Sequence, residues 1–331
     1  MRWRFIIGFG DNMIYHEACQ IASCEQFFKV DDFGLENFFI KIEGLNIAGS
    51  IKLKTAIALI DGLEKTQNIS PKKNTIIESS SGNLGIALSI VCKARGYKFI
   101  CVTDPNTAPK SEQYIKLYGA QVIQVQQRDQ SGGFLGTRID LIKEMLAKDD
   151  GLIWTNQYAS SFNVDAHYNS TAKEIFAKFS NLDYLFIGAG TTGTLMGCAK
   201  FFKEFSPKTK IVAIDTTGSV TFGSKPAPRY IPGIGTSRRP EICSQKNIDE
   251  VIFVDEKDAV EMCNYLLKKH GLFLGGSSGS VIHAVKDYAK KIDSKVNVVA
   301  LSPDFGEKYI DTIYNPNWVK EKFGISHNPL Q

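Results

Sequence analysis

The segment Gly188-Ala189-Gly190-Thr191-Thr192-Gly193 follows a predicted strand, Tyr184–Ile187, and opens a predicted helix, Gly193–Phe205. Backbone N–H groups and the macrodipole at a helix N-terminus bind phosphate groups. The spacing is GxGxxG and Asp215 ends the next strand, a pattern that is also typical of dinucleotide-binding loops. The segment therefore predicts a phosphate site, which would hold either a phosphate monoester or a dinucleotide. The structural alternative is a tight turn that binds no ligand.

Strand-like and helix-like segments alternate outward from this loop, beginning near residue 74. The predicted strands are Thr75–Ile77, Lys98–Thr103, Gln121–Val125, Tyr184–Ile187, Lys210–Asp215, Val251–Asp255, Leu272–Leu274 and Val296–Leu301. The predicted helices are Asn83–Arg95, Pro109–Tyr118, Phe134–Ala147, Gly193–Phe205, Ala259–Lys269 and Ser278–Lys290. This alternation predicts an α/β fold with mostly parallel sheets. Residues 216–245 are rich in Gly, Pro, Ser and Arg, and predict a long functional loop.

The composition excludes several classes of protein. The chain has 331 residues, 43% hydrophobic and 22% charged, which is enough for two packed domains. A net charge of +4 without a basic block argues against nucleic acid as a partner. We find no apolar run near the roughly 18 residues that a membrane span needs. Seven cysteines without a CxxC pair, and scattered histidines, predict no disulfide framework, no metal site and a cytoplasmic location. Residues 1–12 are given no role.

Lys52 is the candidate nucleophile. Small residues precede it in Asn46-Ile47-Ala48-Gly49-Ser50-Ile51, and a helix is expected to start at the lysine. Partial burial and a helix N-terminus both disfavour the ammonium form, which is what an amine nucleophile requires. By itself the position fits a surface lysine at a helix start better than a nucleophile.

Two further loops are rich in glycine and hydroxyl groups. Ser79–Gly85 offers hydroxyls, the Asn83 amide and N–H groups at a helix start, which suit a carboxylate. Gly275–Ser280 places a serine after two glycines, where a hydroxyl can approach a flat ring. Helix capping is the structural alternative for both loops. They follow predicted strands, and ligands of open α/β sheets bind at the carboxyl ends of strands.

Taken in order, these four segments resemble the fold-type II pyridoxal-phosphate (PLP) family, which includes cysteine synthase. Its motifs are N-P-x-G-S-x-K, S-G-N-T-G, G-T-G-G-T and G-x-S-[SA]-G, and the resemblance covers about residues 36–305. It implies a tryptophan-synthase-β-like α/β fold of two domains. Residues 45–158 would form a smaller mobile domain that closes on the substrate. Residues 1–44 and 159–331 would form the larger domain that binds the PLP phosphate.

The resemblance also implies roles for single residues. Lys52 would hold PLP as a Schiff base and act as the general base. Other cofactor contacts would be Asn83 to the ring oxygen, Ser277 to the pyridine nitrogen, and the phosphate ligands Gly190, Thr191, Thr192, Gly193 and Thr194. The substrate carboxylate would be held by Ser80, Ser81, Gly82 and Gln157. A neutral serine partner leaves the pyridine nitrogen unprotonated, which favours β-elimination.

Several positions depart from ordinary cysteine synthases. Ile47 replaces a proline, Leu53-Lys54 replace Asp-Arg, and Leu84 replaces a threonine. Five segments instead are similar to enzymes of 2,3-diaminopropionate biosynthesis: residues 81–85, 132–138, 156–159, 191–193 and 232–238. This likeness implies a transferase on which O-phospho-L-serine loses phosphate and the amino group of L-glutamate adds to the β-carbon. Such products serve siderophore or antibiotic pathways.

A phosphate leaving group and an acidic nucleophile both require cations. The candidates are Arg138, Lys225, Arg229 and Arg238. Arg138 and Arg238 lie in the shared segments, so we predict them, with Tyr158, as substrate-binding residues. Gly190 stands where this likeness leads us to expect a serine. The identity of the second substrate, whose amino group is the nucleophile, therefore stays open.

Three other functions stay open at this point. They are a cysteine synthase that uses O-acetylserine or O-phosphoserine with sulfide, an NAD-dependent dehydrogenase and a non-catalytic relative. The family likeness also implies a homodimer acting on small amino-acid substrates.

Overall fold

A computed structural model of the chain describes residues 14–129 and 132–325; the segment 1–12 lies outside the described residues. The strands are β1 Phe27–Val30, β2 Asn37–Ile42, β3 Thr75–Ser79, β4 Lys98–Thr103, β5 Gln121–Gln124, β6 Leu152–Trp154, β7 Tyr184–Gly188, β8 Lys210–Thr216, β9 Glu250–Val254 and β10 Asn297–Ser302. The helices are α1 Lys52–Gln67, α2 Asn83–Arg95, α3 Pro109–Leu117, α4 Leu135–Leu146, α5 Ser161–Asn169, α6 Thr171–Lys178, α7 Gly193–Phe205, α8 Glu256–His270, α9 Gly276–Tyr288 and α10 Pro316–Phe323.

The strands form two sheets. One has the order β1-β2-β10-β7-β8-β9 and is parallel except for the antiparallel β1–β2 pair. The other has the order β5-β4-β3-β6 and is parallel throughout. The prediction of an α/β fold with mostly parallel sheets is therefore confirmed. Parallel sheets are covered on both faces, which explains why β8 is buried from Ile211 to Thr216.

Glycines end two of the predicted helices where the pattern places them. Gly96 and Gly271 cap α2 and α8 with φ of 79° and 69°, and their N–H groups bond to carbonyls of the last turn. Glycine adopts this left-handed conformation without the Cβ clash that other residues meet. The chain can therefore turn sharply from each helix into the next segment.

Two predictions near the third loop were wrong. Leu272–Leu274 is not a strand, because both edges of β10 are already paired with β2 and β7; Leu274 makes only an isolated bridge with Phe305. Gly275–Ser280 is not a loop, since α9 begins at Gly276. The glycines serve close packing there: a Cβ on Gly279 would lie 2.2 Å from the Ala259 carbonyl oxygen of α8.

The two sheets occupy different parts of the chain. All strands of the four-stranded sheet fall within residues 45–158, and those of the six-stranded sheet fall outside that range. Whether the two parts move as separate domains stays a prediction. Among the described residues, no helix has both the length and the apolar character needed to span a bilayer.

Candidate active site

The predicted loops meet around the start of α1. Lys52 is the first residue of α1, and its Nζ donates a hydrogen bond to Thr191 Oγ1 over 3.4 Å. Thr191 follows β7, whose carboxyl end carries the segment 188–193. The structure thus brings the candidate nucleophile to the candidate phosphate loop, across 139 residues of sequence.

The surroundings of Lys52 make its amine available as a base. Burial lowers the pKa of Lys52 to about 8, and the negative charge of Glu78 opposes this shift. At pH near 8 about half of the side chain is then the neutral amine, whereas an ordinary lysine is almost entirely charged. An amine with such a pKa can form a covalent bond to an aldehyde and can exchange protons near neutral pH.

Glu78 is a functional residue that the sequence analysis missed. It lies at the end of β3 with no exposed surface, and four groups donate to its carboxylate: Thr155 Oγ1, Trp154 Nε1, and the backbone N–H groups of Ser79 and Gln157. These bonds tie the loop after β3 to the loop after β6. Burial raises the pKa of Glu78 and these hydrogen bonds oppose that shift by favouring the carboxylate, which acts electrostatically on Lys52.

Glu78→Gln should lower the pKa of Lys52 below about 8, because the charge that raises it is removed. Only the neutral amine captures an aldehyde, so the rate at which the apoenzyme takes up PLP should reach its half-maximum at lower pH. The measurement is the uptake rate against pH, with Glu64→Gln as the control, since Glu64 is a half-buried carboxylate of α1 that pairs with Arg95. An unchanged midpoint in Glu78→Gln contradicts the assignment.

The phosphate loop is built from main chain at the start of α7. Thr192 is the N-cap with φ of 66°, and its Oγ1 is buried without a hydrogen-bond partner. A Cβ on Gly193 would lie 2.1 Å from Asn163 Oδ1, and one on Gly190 would lie 2.8 Å from the Gly233 carbonyl oxygen. Glycine at 190 in place of serine therefore lets the segment around Gly233 approach the loop closely.

Asn163 and His167 of α5 lie within hydrogen-bond distance of Thr191 and Thr194. Neither residue was predicted from the sequence. Asn163 Nδ2 donates to Thr191 Oγ1 over 3.1 Å and to the Gln157 carbonyl oxygen over 2.8 Å. His167 Nε2 lies 3.2 Å from Thr194 Oγ1. Their spacing of four residues places both on one helix face, but nothing in the sequence says that this face meets α7.

Asn83 is the first residue of α2, and Asp304 holds its amide. Asn83 Nδ2 donates to Asp304 Oδ2 over 2.8 Å, and the Tyr309 hydroxyl donates to the same oxygen over 2.6 Å. Asp304 accepts from the Asn83 amide, which also lies within reach of the Tyr309 hydroxyl, while Asn83 Oδ1 has no hydrogen-bond partner. Asp304 and Tyr309 were also missed, although Asp304 follows β10 at the edge where ligands of such sheets bind.

Ser277 lies in the first turn of α9 and is 5% exposed. A Cβ on Gly233 would be 3.7 Å from its hydroxyl oxygen, and Gly233 also lies against Gly190. The segment around Gly233 therefore passes between the phosphate loop and the predicted ring-nitrogen partner.

The predicted carboxylate ligands lie between β3 and α2 and beside β6. Ser80 Oγ accepts from the N–H groups of Gly82 and Gly85, so this hydroxyl organises the start of α2. Gln157 Nε2 donates to the Ser79 carbonyl oxygen over 3.1 Å. Ser81 and Gly82 are only partly buried. The backbone N–H groups at this helix start are the stronger candidates for holding a carboxylate.

The predicted cations differ in their placement. Arg138 is 7% exposed; its Nη1 is 3.4 Å from Asp104 Oδ2, and its Nε and Nη1 have no hydrogen-bond partner. Burial raises the pKa of Tyr158, while the positive charges of Arg138 and Arg229 lower it, so both guanidinium groups lie within electrostatic reach of the phenol. Arg238 is instead exposed and paired with Glu241, and Lys225 is exposed. Arg229 is half-buried.

These features fit PLP. The loop 188–193 leaves no room for side chains at Gly190 and Gly193, which suits a phosphate bound by main-chain N–H groups. The buried Thr192 Oγ1 and Asn83 Oδ1 lack partners, and Lys52 stands beside the loop with a lowered pKa. Buried polar atoms are nearly always paired, so a polar ligand between these two atoms would satisfy them.

Comparison with known proteins agrees with this geometry. The chain is 41% identical over 282 residues to the N-(2-amino-2-carboxyethyl)-L-glutamate synthase of Ralstonia nicotianae, covering 85% of this chain and 83% of that protein. A crystal structure of an O-acetylserine dependent cystathionine beta-synthase from Helicobacter pylori is 29% identical with a TM-score of 0.85, covering 92% of this chain and all of the other.

A lysine-to-alanine mutant of O-ureido-L-serine synthase with O-ureido-L-serine bound is 25% identical with a TM-score of 0.84, covering 94% of this chain and 95% of that one. Residues 23–304 match the family described as pyridoxal-phosphate dependent enzyme. This match spans most of the chain and includes every predicted cofactor residue. The chain therefore belongs to the family of pyridoxal-phosphate dependent enzymes.

Proposed function

We propose that this enzyme carries out β-replacement on O-phospho-L-serine, with the amino group of L-glutamate as the nucleophile. The product would be N-(2-amino-2-carboxyethyl)-L-glutamate, a precursor of 2,3-diaminopropionate. The observation that carries the proposal is the buried guanidinium of Arg138, whose ion pair with Asp104 leaves Nε and Nη1 without a hydrogen-bond partner and whose charge reaches Tyr158. Arginine offers paired donors to a phosphate, and the synthase from Ralstonia supports the choice of glutamate.

The residues of this chain would divide the work as follows. PLP, when bound, supplies the electron sink that makes the proton on Cα of the substrate acidic. Lys52 would hold PLP through its amine between turnovers, remove the Cα proton and later return it. Arg138 and Tyr158 would bind the phosphate that leaves, and the N–H groups at the start of α2 would bind the substrate carboxylate.

Cofactor contacts follow the same arrangement. Thr191, Thr192, Thr194, Gly190 and Gly193 would hold the cofactor phosphate. Asn83, whose amide also donates to Asp304, would donate to the ring oxygen, and Ser277 would face the ring nitrogen. We further propose that residues 45–158 close over the substrate to exclude water, and that the enzyme works as a homodimer in the cytoplasm.

One experiment tests the proposed reaction. The PLP-loaded enzyme is incubated with O-phosphoserine together with one second substrate at a time: glutamate, another amino acid or sulfide. Phosphate release and product mass are followed in each mixture. We expect phosphate release together with the mass of the glutamate adduct. If only sulfide yields a product, the enzyme is a cysteine synthase. If O-acetylserine reacts faster than O-phosphoserine, the proposed site for the substrate phosphate is wrong.

Arg138→Gln should lower kcat/KM for O-phosphoserine by about 10- to 100-fold, because hydrogen bonds to a charged group contribute about 1.5–3 kcal/mol. The value for O-acetylserine, which carries no phosphate, should change much less. Arg238→Gln is the matched comparison, since Arg238 is exposed and paired with Glu241. A selective loss in Arg238→Gln instead would place Arg238, not Arg138, at the phosphate.

A further inference from the structure

Lys54 lies in a buried cluster of charges behind the phosphate loop. It is 6% exposed, and Glu43 and Glu174 accept hydrogen bonds from its Nζ over 3.0 and 2.7 Å. Burial alone would lower the pKa of Lys54, but the two carboxylates raise it above the ordinary value. The side chain is therefore a fixed ammonium, which can donate hydrogen bonds and cannot accept them.

A third contact of this ammonium lies on the side of the active site. Lys54 Nζ donates to Thr171 Oγ1 over 3.5 Å, and Thr171 Oγ1 lies 3.0 Å from His167 Nδ1. Because the Thr171 oxygen accepts from the ammonium, its own proton is free to go to Nδ1. This arrangement favours the histidine tautomer that carries its proton on Nε2.

His167 is neutral, which makes the choice of tautomer decisive. Burial lowers the pKa of His167 well below its ordinary value, and the charges of Lys52 and Lys54 lower it further. Its Nε2 lies 3.0 Å from Thr55 Oγ1 and 3.2 Å from Thr194 Oγ1. An Nε2 that carries the proton cannot accept from either hydroxyl and shares its single N–H between them, so Thr55 and Thr194 must each give their own proton to another acceptor.

The hydroxyl protons of Thr55 and Thr194 are then donated to groups other than His167. Thr55 donates to Asn163 Oδ1 over 3.3 Å, which turns the Asn163 Nδ2 group toward Thr191. Thr191 then accepts from Asn163, and Thr194 accepts from His167. The hydroxyl protons of Thr191 and Thr194 are thereby left to point out of the protein scaffold and into the loop.

We infer that Lys54, Thr171, His167, Thr55 and Asn163 are positioning residues that aim the hydroxyl protons of Thr191 and Thr194 at the cofactor phosphate. The inference rests on the proposed phosphate site, and it adds a cause for the orientation of its donors. A hydroxyl that donates to a phosphate dianion contributes favourably, whereas one with its lone pairs turned inward does not. Lys54 is also one of the positions that depart from ordinary cysteine synthases.

Thr171→Val tests this inference, because it removes the connecting hydroxyl while Lys54 keeps both carboxylates. We expect the Kd for PLP to rise about fivefold, as for one misdirected neutral hydrogen bond. Thr194→Val should raise it about 10-fold or more, since it removes a donor to a charged group. Pyridoxal, which lacks the phosphate, should bind to wild type and Thr171→Val equally.

The double variant Thr171→Val/Thr194→Val decides between coupling and general damage. Because the branch through Thr55 and Asn163 to Thr191 remains in Thr194→Val, Thr171→Val should weaken PLP binding less in that background than in wild type. Additive losses, or equal loss for pyridoxal, would overturn the inference while leaving the phosphate site intact. If Thr194→Val has no effect, the proposed phosphate site itself is wrong.

A second measurement reads the protonation of His167 directly in the wild-type enzyme. In the PLP-bound enzyme with ¹⁵N-labelled histidine, the ring nitrogens of His167 should show a protonated Nε2 and an unprotonated Nδ1, with His167→Gln used to assign the signals. In Thr171→Val the two tautomers should mix. A wild-type His167 with its proton on Nδ1 would overturn the inference even if Thr171→Val does not fold.

Discussion

Replacing Lys52 with alanine is expected to lower turnover by about 10²- to 10⁴-fold through loss of the general base alone. The covalent link to PLP should disappear as well, and with it the visible absorbance of the cofactor bound to the enzyme. The fold should survive, because the Nζ makes only a 3.4 Å contact with Thr191 and its burial disfavours the charged form. The measurements are the visible spectrum, phosphate release from O-phosphoserine and the thermal midpoint.

Lys65→Ala is the matched control for this variant. Lys65 lies on the same helix α1 but is exposed, so its removal should leave the spectrum and turnover unchanged. A small primary amine added to Lys52→Ala should restore part of the activity, since it supplies the missing base. Full turnover by Lys52→Ala without an added amine would remove Lys52 from the mechanism.

The sequence predicts the elements that carry strong periodicity or clear ends. The bounds of α2, α7 and β4 agree with the prediction to the residue, and glycines end α2 and α8 as expected. The strands β1, β2 and β6 were not predicted, because β1 and β2 precede the alternation that starts near residue 74 and the three residues of β6 leave no period to recognise.

The residues of the candidate site likewise divide into those that the sequence identifies and those that it does not. Lys52, Asn83 and the loop 188–193 could be named because each stands at a helix start within a recognisable motif. Glu78, His167 and Asp304 could not, since their importance arises from partners that are distant in sequence. Asp304, for example, meets Asn83 across 221 residues, and no local pattern encodes that contact.

Arg138 and Arg238 show a limit of motif reasoning about surfaces. Both lie in shared segments, and both were predicted as ligands of an anionic substrate. The structure buries one within electrostatic reach of Tyr158, with Nε and Nη1 lacking a hydrogen-bond partner, and exposes the other against Glu241. Sequence identifies an arginine as available, but only packing determines whether its guanidinium is desolvated enough to bind an anion strongly.

Gly193→Ala is expected to weaken PLP binding by about 10-fold or more, because overpacking a close contact costs about 1–3 kcal/mol. A Cβ at this position would lie 2.1 Å from Asn163 Oδ1, so Asn163 must move. Its movement breaks the bonds to Thr191 and to the Gln157 carbonyl, which join the phosphate loop to the proposed substrate loop. The Kd of the apoenzyme for PLP, measured by absorbance, checks the expectation.

Asn163→Ala separates this cause from a general effect on helix α7. Truncating Asn163 removes the three atoms that a Cβ on Gly193 would meet. The double variant Gly193→Ala/Asn163→Ala should therefore bind PLP no more weakly than Asn163→Ala alone, whereas independent effects would add. Alanine is also the better helix former, so a double variant that is as stable as Asn163→Ala would show that glycine is needed at 193 for space and not for backbone freedom.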